Sequence, residues 1–366
     1  RIKQTLHMFI AKKIKRIQQF LTENRHDGLV LVNDGHESND DLLYHLLHKV
    51  LERGLLIIPK RGRPLLYAIP FEVNQLAKTY PLLRVEPWPA DFAHIFTHTI
   101  MESVHTLAFR PTGLPFSLWK KLQKNPDVLL IEWNDDNHII SIKEPEEIQL
   151  LREACHYTDR CFRALILSWK SFRTETDAAR FIETWFTERG LESSFPPIIA
   201  SGPHAADPHH EPEATPLLPG FCVIDMGVRF KGYCSDMTRT IFIGRPTASD
   251  LARYRLLFNA QTLALNKVQA GIDTATIDDT CRRALSPLNK ECIHSLGHGL
   301  GTAVHEWPRI SANPSTILEP GMVITIEPGI YRPGSYGLRL EDDVVVEESG
   351  VTILTKTTKR LIRIGS

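Results

Sequence analysis

Apolar residues in the first 140 positions recur either at helical spacing or in short continuous runs. One set predicts the buried face of a helix: Ile10, Ile14, Ile17 and Leu21. The basic residues among them predict its solvated face: Lys12, Lys13, Lys15 and Arg16. Five apolar runs are typical of short strands and cover residues 28–33, 54–59, 64–70, 106–110 and 128–132. This alternation predicts an α/β domain.

A second region begins near residues 141–145. Pro145 fits the first turn of a helix, and the acidic residues around it favour a helix N-terminus. A further helix is predicted over 176–189. The Pro/His-rich segment 194–220 that follows has no periodic pattern, and irregular segments of this length in compact domains are usually functional. We therefore divide the chain into residues 1–142 and residues 143–366.

Strand-like patterns dominate the rest of the chain, apart from a helical pattern over 247–290. A hairpin is predicted near residue 230, with Arg229–Gly232 as its loop. That loop would place Asp225 directly opposite Asp236 on one face of the sheet. Three strand-like segments return at the end: MVITIEPGIY, LRLEDDVVVEE and VTILT. The second region is therefore predicted to be α+β, built on an antiparallel sheet.

Composition excludes several classes of partner. The 366 residues include 43 basic and 43 acidic side chains, a formal net charge of zero, which does not favour nucleic acid or an anionic membrane. No run of about 18 apolar residues predicts a membrane span, and the first residues lack a secretory leader pattern. Six cysteines without a CxxC pair fit buried thiols in a reduced cytoplasm. We expect a cytoplasmic protein.

Five side chains of metal-ligand type occur in chain order in the second region: Asp225, Asp236, His298, Glu327 and Glu341. Strand alternation places Glu327 on the same face as Thr325, and Glu341 on the same face as Arg339. Four carboxylates at one point would raise one another's pKa unless cations neutralise them. Two divalent cations cancel four negative charges, so the set predicts a two-metal site.

Each of these acids, taken alone, is more often a surface charge or part of an ion pair. That is the interpretation adopted for Asp342, Asp343, Glu347 and Glu348. The oxygen-rich donor set with one nitrogen favours Mn²⁺, with Co²⁺, Zn²⁺ and Fe²⁺ as alternatives. Several histidines lie near these positions in the sequence, which predicts that some of them contact metal or substrate: His209, His210, His294 and His305.

Several motifs together resemble a known enzyme group. GYCSDMTRTIFIG, GHGLG, VHE, IEPGIY and LRLEDDVVV are similar, in order and spacing, to the Xaa-Pro peptidases (prolidase and aminopeptidase P) of the methionine-aminopeptidase-like, or pita-bread, metallopeptidases. The similarity extends to SNDDLLYHL and KEPEEIQLLREA, and so spans nearly the whole chain. It implies a catalytic pita-bread domain over 143–366, a creatinase-type α/β domain over 1–142, and a homodimer.

The resemblance also implies roles for the five ligands. Asp225 matches the ligand of one metal alone, and Asp236 and Glu341 match the carboxylates that bridge both metals. His298 and Glu327 match the ligands of the other metal. These matches imply two bound divalent ions, with Mn²⁺ favoured.

Four further residues match groups of the active site that do not bind metal. His209, His294 and His305 match the histidines, and Arg339 matches an arginine that orients a bridging carboxylate. The spacing from the histidine loop to Asp225 is one residue shorter than in the family pattern. The choice between His209 and His210 therefore stays open.

The implied reaction is hydrolysis of the bond between an N-terminal residue and proline, through a hydroxide that bridges the metals. His305 would stabilise the oxyanion, and Glu327 would carry a proton to the proline nitrogen. Whether dipeptides or longer peptides are preferred stays open. The alternative is a non-catalytic relative that binds peptide or protein on the same fold. All five ligand types are in place, which favours the enzyme.

Overall fold

The computed structural model describes residues 2–33, 40–88, 105–123, 128–133 and 137–365. Ser38 and Asn39, in the segment SNDDLLYHL, lie outside the described residues. The chain divides into two compact units, Arg1–Ile140 and Ser141–Ser366. Among the described residues, no helix has the length and apolarity needed to cross a membrane.

The first unit is an α/β sheet domain, as its apolar runs predict. Its elements are α1 (Ile2–Glu23), β1 (Gly28–Asn33), α2 (Asp41–Leu47), β2 (Gly54–Pro59), β3 (Leu65–Ala68), α3 (Val73–Thr79), β4 (Arg84–Pro87), β5 (Thr106–Phe109), α4 (Phe116–Leu122) and β6 (Leu129–Glu132). The strand order is β4-β3-β2-β1-β5-β6. β2 is antiparallel to β1 and β3, and the other pairs are parallel.

Helix α1 buries the predicted apolar face: Ile10, Ile14, Ile17 and Leu21 are each at most 6% exposed. The prediction that Lys13 is solvated is wrong. Lys13 is fully buried and forms a hydrogen bond with His45. Position 13 follows Ile10 by three residues and precedes Ile17 by four, which places it on the apolar stripe rather than opposite it.

Helix α5 (Asn137–Ser141) ends at the boundary of the two units, and the second unit contains the elements that follow it. They are α6 (Pro145–Ser168), α7 (Glu175–Thr187), β7 (Glu192–Ser193), β8 (Ile198–Ser201), β9 (Gly220–Met226), β10 (Val228–Phe230), β11 (Tyr233–Cys234), β12 (Met237–Ile243), α8 (Ala248–Leu265), α9 (Thr274–Ala284), β13 (Gly297–Gly299), β14 (Glu306–Ile310), β15 (Val323–Ile326), β16 (Gly329–Arg332), β17 (Tyr336–Arg339), β18 (Asp342–Val346), β19 (Val351–Ile353) and β20 (Arg363–Ile364).

Two sheets of the second unit hold its core, in the orders β20-β12-β9-β8 and β14-β13-β15-β18-β19. Helices α6 and α7 pack on the first sheet through one apolar cluster. Helices α8 and α9 pack on residues of β15, β17 and β18 through another. The sheets therefore lie between two pairs of helices, the arrangement expected of the pita-bread fold.

Three sequence expectations for this unit need correction. The segment 194–220 is not irregular throughout, because β8 lies within it and pairs with β9. The helical stretch over 247–290 is two helices, with positive φ at Gly271 between them. The segment LRLEDDVVV is two strands, because β17 pairs with β16 whereas β18 pairs with β15. Glu341 lies at the joint between these two strands.

The hairpin near residue 230 has a tighter turn than predicted. Phe230 pairs with Tyr233, so only Lys231 and Gly232 lie in the turn. Their φ angles are +49° and +90°, and a type I′ turn requires positive φ at both central positions. The turn is therefore a two-residue connection.

This turn sets the register of β9 against β12. Asp225 pairs with Thr238, so the prediction of Asp225 directly opposite Asp236 is wrong. The predicted loop, Arg229–Gly232, was two residues too long, which shifts the partner by two positions. A shift of two keeps every side chain on its face, so Asp236, the residue before β12, remains on the side of Asp225.

Candidate metal centre

A cavity of about 870 Å³ in the second unit collects the predicted site residues. All five predicted ligands lie in its wall, and so do Arg339 and all four of the histidines at 209, 210, 294 and 305. The remainder of the wall includes the apolar stretch Phe195–Ile198 and the side chain of Arg309.

Three of the five predicted ligands approach one point. Asp236, His298 and Glu341 each offer a ligand atom, and these atoms lie within 4.8 Å of one another. Nε2 of His298 is 3.7 Å from Oδ2 of Asp236 and 3.5 Å from Oε1 of Glu327. Nδ1 of His298 lies 3.0 Å from the Gly299 carbonyl oxygen and donates to it. The lone pair of Nε2 therefore faces the acids.

Asp225 is joined to this group through Arg339. Nη2 of Arg339 donates to Oδ2 of Asp225 at 2.7 Å. Nε of Arg339 donates at 3.0 Å to Oγ1 of Thr238, which in turn donates at 2.8 Å to Oε2 of Glu341. The arginine therefore contacts Asp225 directly, and it contacts the predicted bridging residue Glu341 through Thr238.

Three oxygens of the acid group are buried without a hydrogen-bond partner in the described structure. They are Oδ1 of Asp225, Oδ1 of Asp236 and Oε1 of Glu341. A buried charged oxygen without a partner is costly. Divalent cations would satisfy all three, because carboxylate oxygens and a neutral imidazole are ligands that such ions accept. The residues present therefore fit a metal centre.

The pKa shifts reflect the same excess of buried negative charge. Burial raises the pKa of Asp236 and of Glu341 well above the usual range, and the neighbouring carboxylates add to the effect. Burial likewise raises the pKa of Glu327 to about 8. Without a cation, protons are the ions that compensate this cluster.

Three histidines of the site favour the neutral form near pH 7. Burial lowers the pKa of both His294 and His298 to about 4, and it lowers the pKa of His305 as well. The rings of His298 and His305 are 4.3 Å apart. A neutral imidazole can serve as a ligand through one nitrogen and as a donor through the other.

His294 is fixed by two contacts. Its Nδ1 donates to the carbonyl oxygen of Ser295 at 2.7 Å, and its Nε2 accepts from the hydroxyl of Tyr331 at 3.0 Å. The same hydroxyl accepts from Nη1 of Arg339 at 2.9 Å. His294 is therefore linked to Arg339 through a tyrosine.

The two adjacent loop histidines have different surroundings. His209 is exposed at the cavity wall, and its charge affects the pKa of His294 and of His305. Nε2 of His210 lies 2.7 Å from Oε2 of Glu175. We therefore assign His209 to the side of the cavity that faces the acid group.

Three residues of the site were not found from the sequence. Thr238 and Tyr331 link the charged groups, and Arg309 places a cation in the cavity wall. Thr238 had a signal, since it follows Asp236 by two positions in a strand-like sequence pattern, which predicts that the two side chains share a face. Tyr331 lies within the quoted motif IEPGIY, and Arg309 follows His305 by four residues. No spacing rule identifies the partners of either residue.

Asp342 and Asp343 need separate treatment. Asp342 forms ion pairs with Arg239 and Lys359, as the ion-pair interpretation predicts. Asp343 is fully buried, and its Oδ2 accepts from the backbone N–H of Asp236 at 2.9 Å. The interpretation of Asp343 as a surface charge or ion pair is therefore wrong; it positions the backbone of Asp236, which lies between β11 and β12.

The fold and the donor set together define a metal-dependent hydrolase of the pita-bread class. The profile of metallopeptidase family M24 matches residues 149–348. The chain belongs to this family, and it is a peptidase by that membership.

Comparison with individual proteins gives relatives that match nearly the whole chain. The chain is 31% identical over 359 residues to the Xaa-Pro dipeptidase of Pyrococcus horikoshii, an alignment that covers 96% of this chain and 99% of the relative. Among solved structures, the Xaa-Pro dipeptidase from Bacillus anthracis superposes with a TM-score of 0.88 at 28% identity, covering 97% and 100% of the two chains. The X-Pro aminopeptidase from Thermotoga maritima superposes with a TM-score of 0.84 at 26% identity, covering 93% of this chain and 98% of that one.

Proposed function

We propose that this protein is a metal-dependent Xaa-Pro peptidase that removes the N-terminal residue from proline in dipeptides or short peptides. The observation that carries the proposal is the group of three buried, unpartnered carboxylate oxygens beside a neutral imidazole nitrogen. The similarity to Xaa-Pro dipeptidases over nearly the whole chain supports the choice of substrate.

The proposed cofactor is a pair of divalent cations, with Mn²⁺ favoured because four of the five donors are carboxylates. The residues proposed to hold it are Asp225, Asp236, His298, Glu327 and Glu341. When bound, such a pair would supply a hydroxide nucleophile at neutral pH by lowering the pKa of water.

The other residues act on the peptide. The imidazole of His305 is neutral and exposed at the cavity wall, so it can donate an N–H to the carbonyl oxygen as negative charge develops there. Glu327 is proposed to carry a proton to the proline nitrogen. Arg339 and Tyr331 hold Asp225 and His294 in place, which keeps the reacting groups aligned.

Arg309 points to a preference for dipeptides. It is an exposed cation in the wall of the same cavity. In a dipeptide that ends in proline, the α-carboxylate lies one residue beyond the scissile bond, and arginine binds carboxylates through two parallel hydrogen bonds. A longer peptide has an amide at that position. We therefore propose that Arg309 binds the C-terminal carboxylate of the substrate.

Replacing a proposed bridging ligand tests the reaction. We expect Asp236→Ala to lose bound Mn²⁺ and Ala-Pro cleavage together, because it removes a carboxylate from the donor set. Metal content of the purified protein and release of free proline are the measurements. Glu348→Ala, at an exposed acid outside the cavity, is the matched control and should retain both. Mn²⁺-stimulated cleavage that survives in Asp236→Ala would contradict the assignment. Bound metal without cleavage of any Xaa-Pro peptide by the unmodified protein would favour the peptide-binding alternative.

A second experiment tests the dipeptide preference. Arg309→Met should raise KM for Ala-Pro by roughly 10- to 100-fold, since a hydrogen-bonded charge pair contributes about 1.5–3 kcal/mol. It should leave KM for Ala-Pro-amide unchanged, because the amide carries no negative charge. Equal effects on the acid and the amide would count against this role.

A further inference from the structure

Glu175, His204 and His210 form a second cluster of metal-ligand side chains outside the five proposed ligands. One ligand atom from each lies within 4.8 Å of the other two. Glu175 is the first residue of α7 and is fully buried. The two histidines lie in the segment after β8 that also carries His209.

The atoms of this cluster already have nearly the spacing of ligands around an ion. Nδ1 of His204 is 3.0 Å from Oε1 of Glu175, and Nε2 of His210 is 2.7 Å from Oε2. The two rings are 4.5 Å apart. Ligands at about 2.0–2.1 Å from a tetrahedral zinc ion are separated by roughly 3.3 Å. Around an ion, the two contacts of Glu175 with the histidines would therefore lengthen by about 0.3–0.6 Å.

The carboxylate of Glu175 is also oriented by groups other than the histidines. It accepts from the N–H of Ser201 at 2.7 Å, from the hydroxyl of Ser201 at 2.8 Å and from the N–H of Glu213 at 3.2 Å. Although burial opposes ionisation, these hydrogen bonds and the one from His210 hold the pKa of Glu175 below its usual value. Contacts of this kind fix ligating carboxylates in metal sites, and all three would persist with an ion bound.

Exposure differs among the three side chains in a way that leaves a path for an ion. Glu175 is 0% exposed and His210 is 10% exposed, whereas His204 is 26% exposed. An ion and a water as fourth ligand can therefore arrive from the side of His204, the most exposed of the three.

We propose that Glu175, His204 and His210 form a third divalent-cation site, of the type that takes Zn²⁺ through two imidazoles and one carboxylate. This donor set suits zinc better than the carboxylate-rich set of the catalytic centre does. The segment that bears His209 runs between two of the three ligands, so an ion bound here ties that segment to α7. The site is distinct from the proposed catalytic pair and does not depend on it.

A single substitution separates ion binding from simple hydrogen bonding. In His204→Asn the amide nitrogen can still donate to Glu175, as Nδ1–H does, but an amide is a poor zinc ligand. After equilibration with Zn²⁺ and removal of free metal, we expect the unmodified protein to hold one more zinc per chain than His204→Asn. His156→Asn, which replaces an exposed histidine on α6, should match the unmodified protein.

The Asp236→Ala background keeps this test independent of the catalytic centre. There, Co²⁺ should give the d–d absorption of a four-coordinate site, and adding His204→Asn should weaken Co²⁺ binding at least ~100-fold, since even outer contacts are worth 10–100-fold. Near-UV circular dichroism establishes that the variants are folded. Equal zinc content in the unmodified protein and His204→Asn would overturn the proposal. So would a Co²⁺ spectrum that is unchanged by His204→Asn.

Discussion

Glu341 and Asp342 are neighbours in the chain and both are buried, but their electrostatic surroundings are opposite. Oδ1 of Asp342 accepts a hydrogen bond from Nη2 of Arg239, and its Oδ2 accepts one from Nζ of Lys359, each at 2.7 Å. Although burial opposes ionisation, these cations hold the pKa of Asp342 below its usual value. The pKa of Glu341 is raised well above its usual value by burial and by the carboxylates beside it.

This difference separates a structural acid from a metal ligand. Asp342 is paired with two cationic side chains of the protein itself. Arg239 also donates hydrogen bonds to the backbone carbonyl oxygens of Thr357 and Glu341. At the metal centre, three of the four carboxylates interact with the guanidinium of Arg339: those of Asp225, Glu327 and Glu341. Uncompensated negative charge, rather than burial as such, marks the side where exogenous cations are expected.

The largest expected effect comes from removing a cation that compensates the charge of Asp342. Arg239→Met should lower the free energy of unfolding by about 3–5 kcal/mol, because it removes the more deeply buried of the two cations paired with Asp342. Glu341→Gln should leave the stability of the metal-free protein unchanged or raise it, because it removes one of several repelling carboxylates. Urea denaturation in the presence of a chelator measures both.

Lys359 offers a graded control for that prediction. Its side chain is 18% exposed, so Lys359→Met should cost about 1 kcal/mol. If Arg239→Met proved no more harmful than Lys359→Met, the network around Asp342 would not be the structural support inferred here.

The next effect is a pH dependence of the metal-free protein. The pKa of Glu327 in the fold is about 8, against an ordinary value of 4.5. The folded protein therefore takes up a proton near pH 8 that the unfolded chain does not, and stability rises as pH falls. Between pH 8 and 6.5 the gain is about 1.6 kcal/mol for this proton.

Histidines limit this gain at lower pH. The pKa values of His294 and His298 are lowered to about 4 from an ordinary 6.5, so below pH 6.5 the unfolded chain binds their protons first, which opposes the gain from the buried acids. The chelated protein should therefore gain stability from pH 8 to pH 6.5 and gain less per pH unit below pH 6.5, as measured by urea midpoints across this range. Glu327→Gln should flatten the rise between pH 8 and 6.5, and an undiminished rise in that variant would show that other groups cause it.

Sequence patterns predicted which faces carry the site, but not which atoms meet. Alternation placed Glu327 with Thr325 and Glu341 with Arg339, because it depends only on local periodicity. The role of His298 came from the resemblance of the motifs instead. The pairing of Asp225 was wrong by two residues, since a two-residue turn with positive φ replaced the predicted loop. A register of this kind depends on turn conformation, which apolar spacing does not encode.

The partners of polar side chains were the least predictable part. Lys13 was expected in solvent and Asp343 in an ion pair, yet both are buried in hydrogen bonds to distant residues. Thr238 and Tyr331 were missed for the same reason. Hydroxyl groups carry no charge pattern, and their roles follow only from tertiary contacts.

The smallest expected effect concerns Thr238, which contacts the uncompensated carboxylate of Glu341. Thr238→Val removes the hydroxyl that joins Arg339 to Glu341 while keeping the shape of the side chain. We expect Mn²⁺ affinity to fall about 10-fold, or about 1.4 kcal/mol, as for other groups that orient a metal ligand. Thr240→Val is the matched control, because Thr240 is equally buried on the same strand but contacts only the backbone of Arg339. Both variants should lose some stability, and only Thr238→Val should lose metal affinity; equal losses of affinity would mean that the strand, and not the hydroxyl bridge, controls the centre.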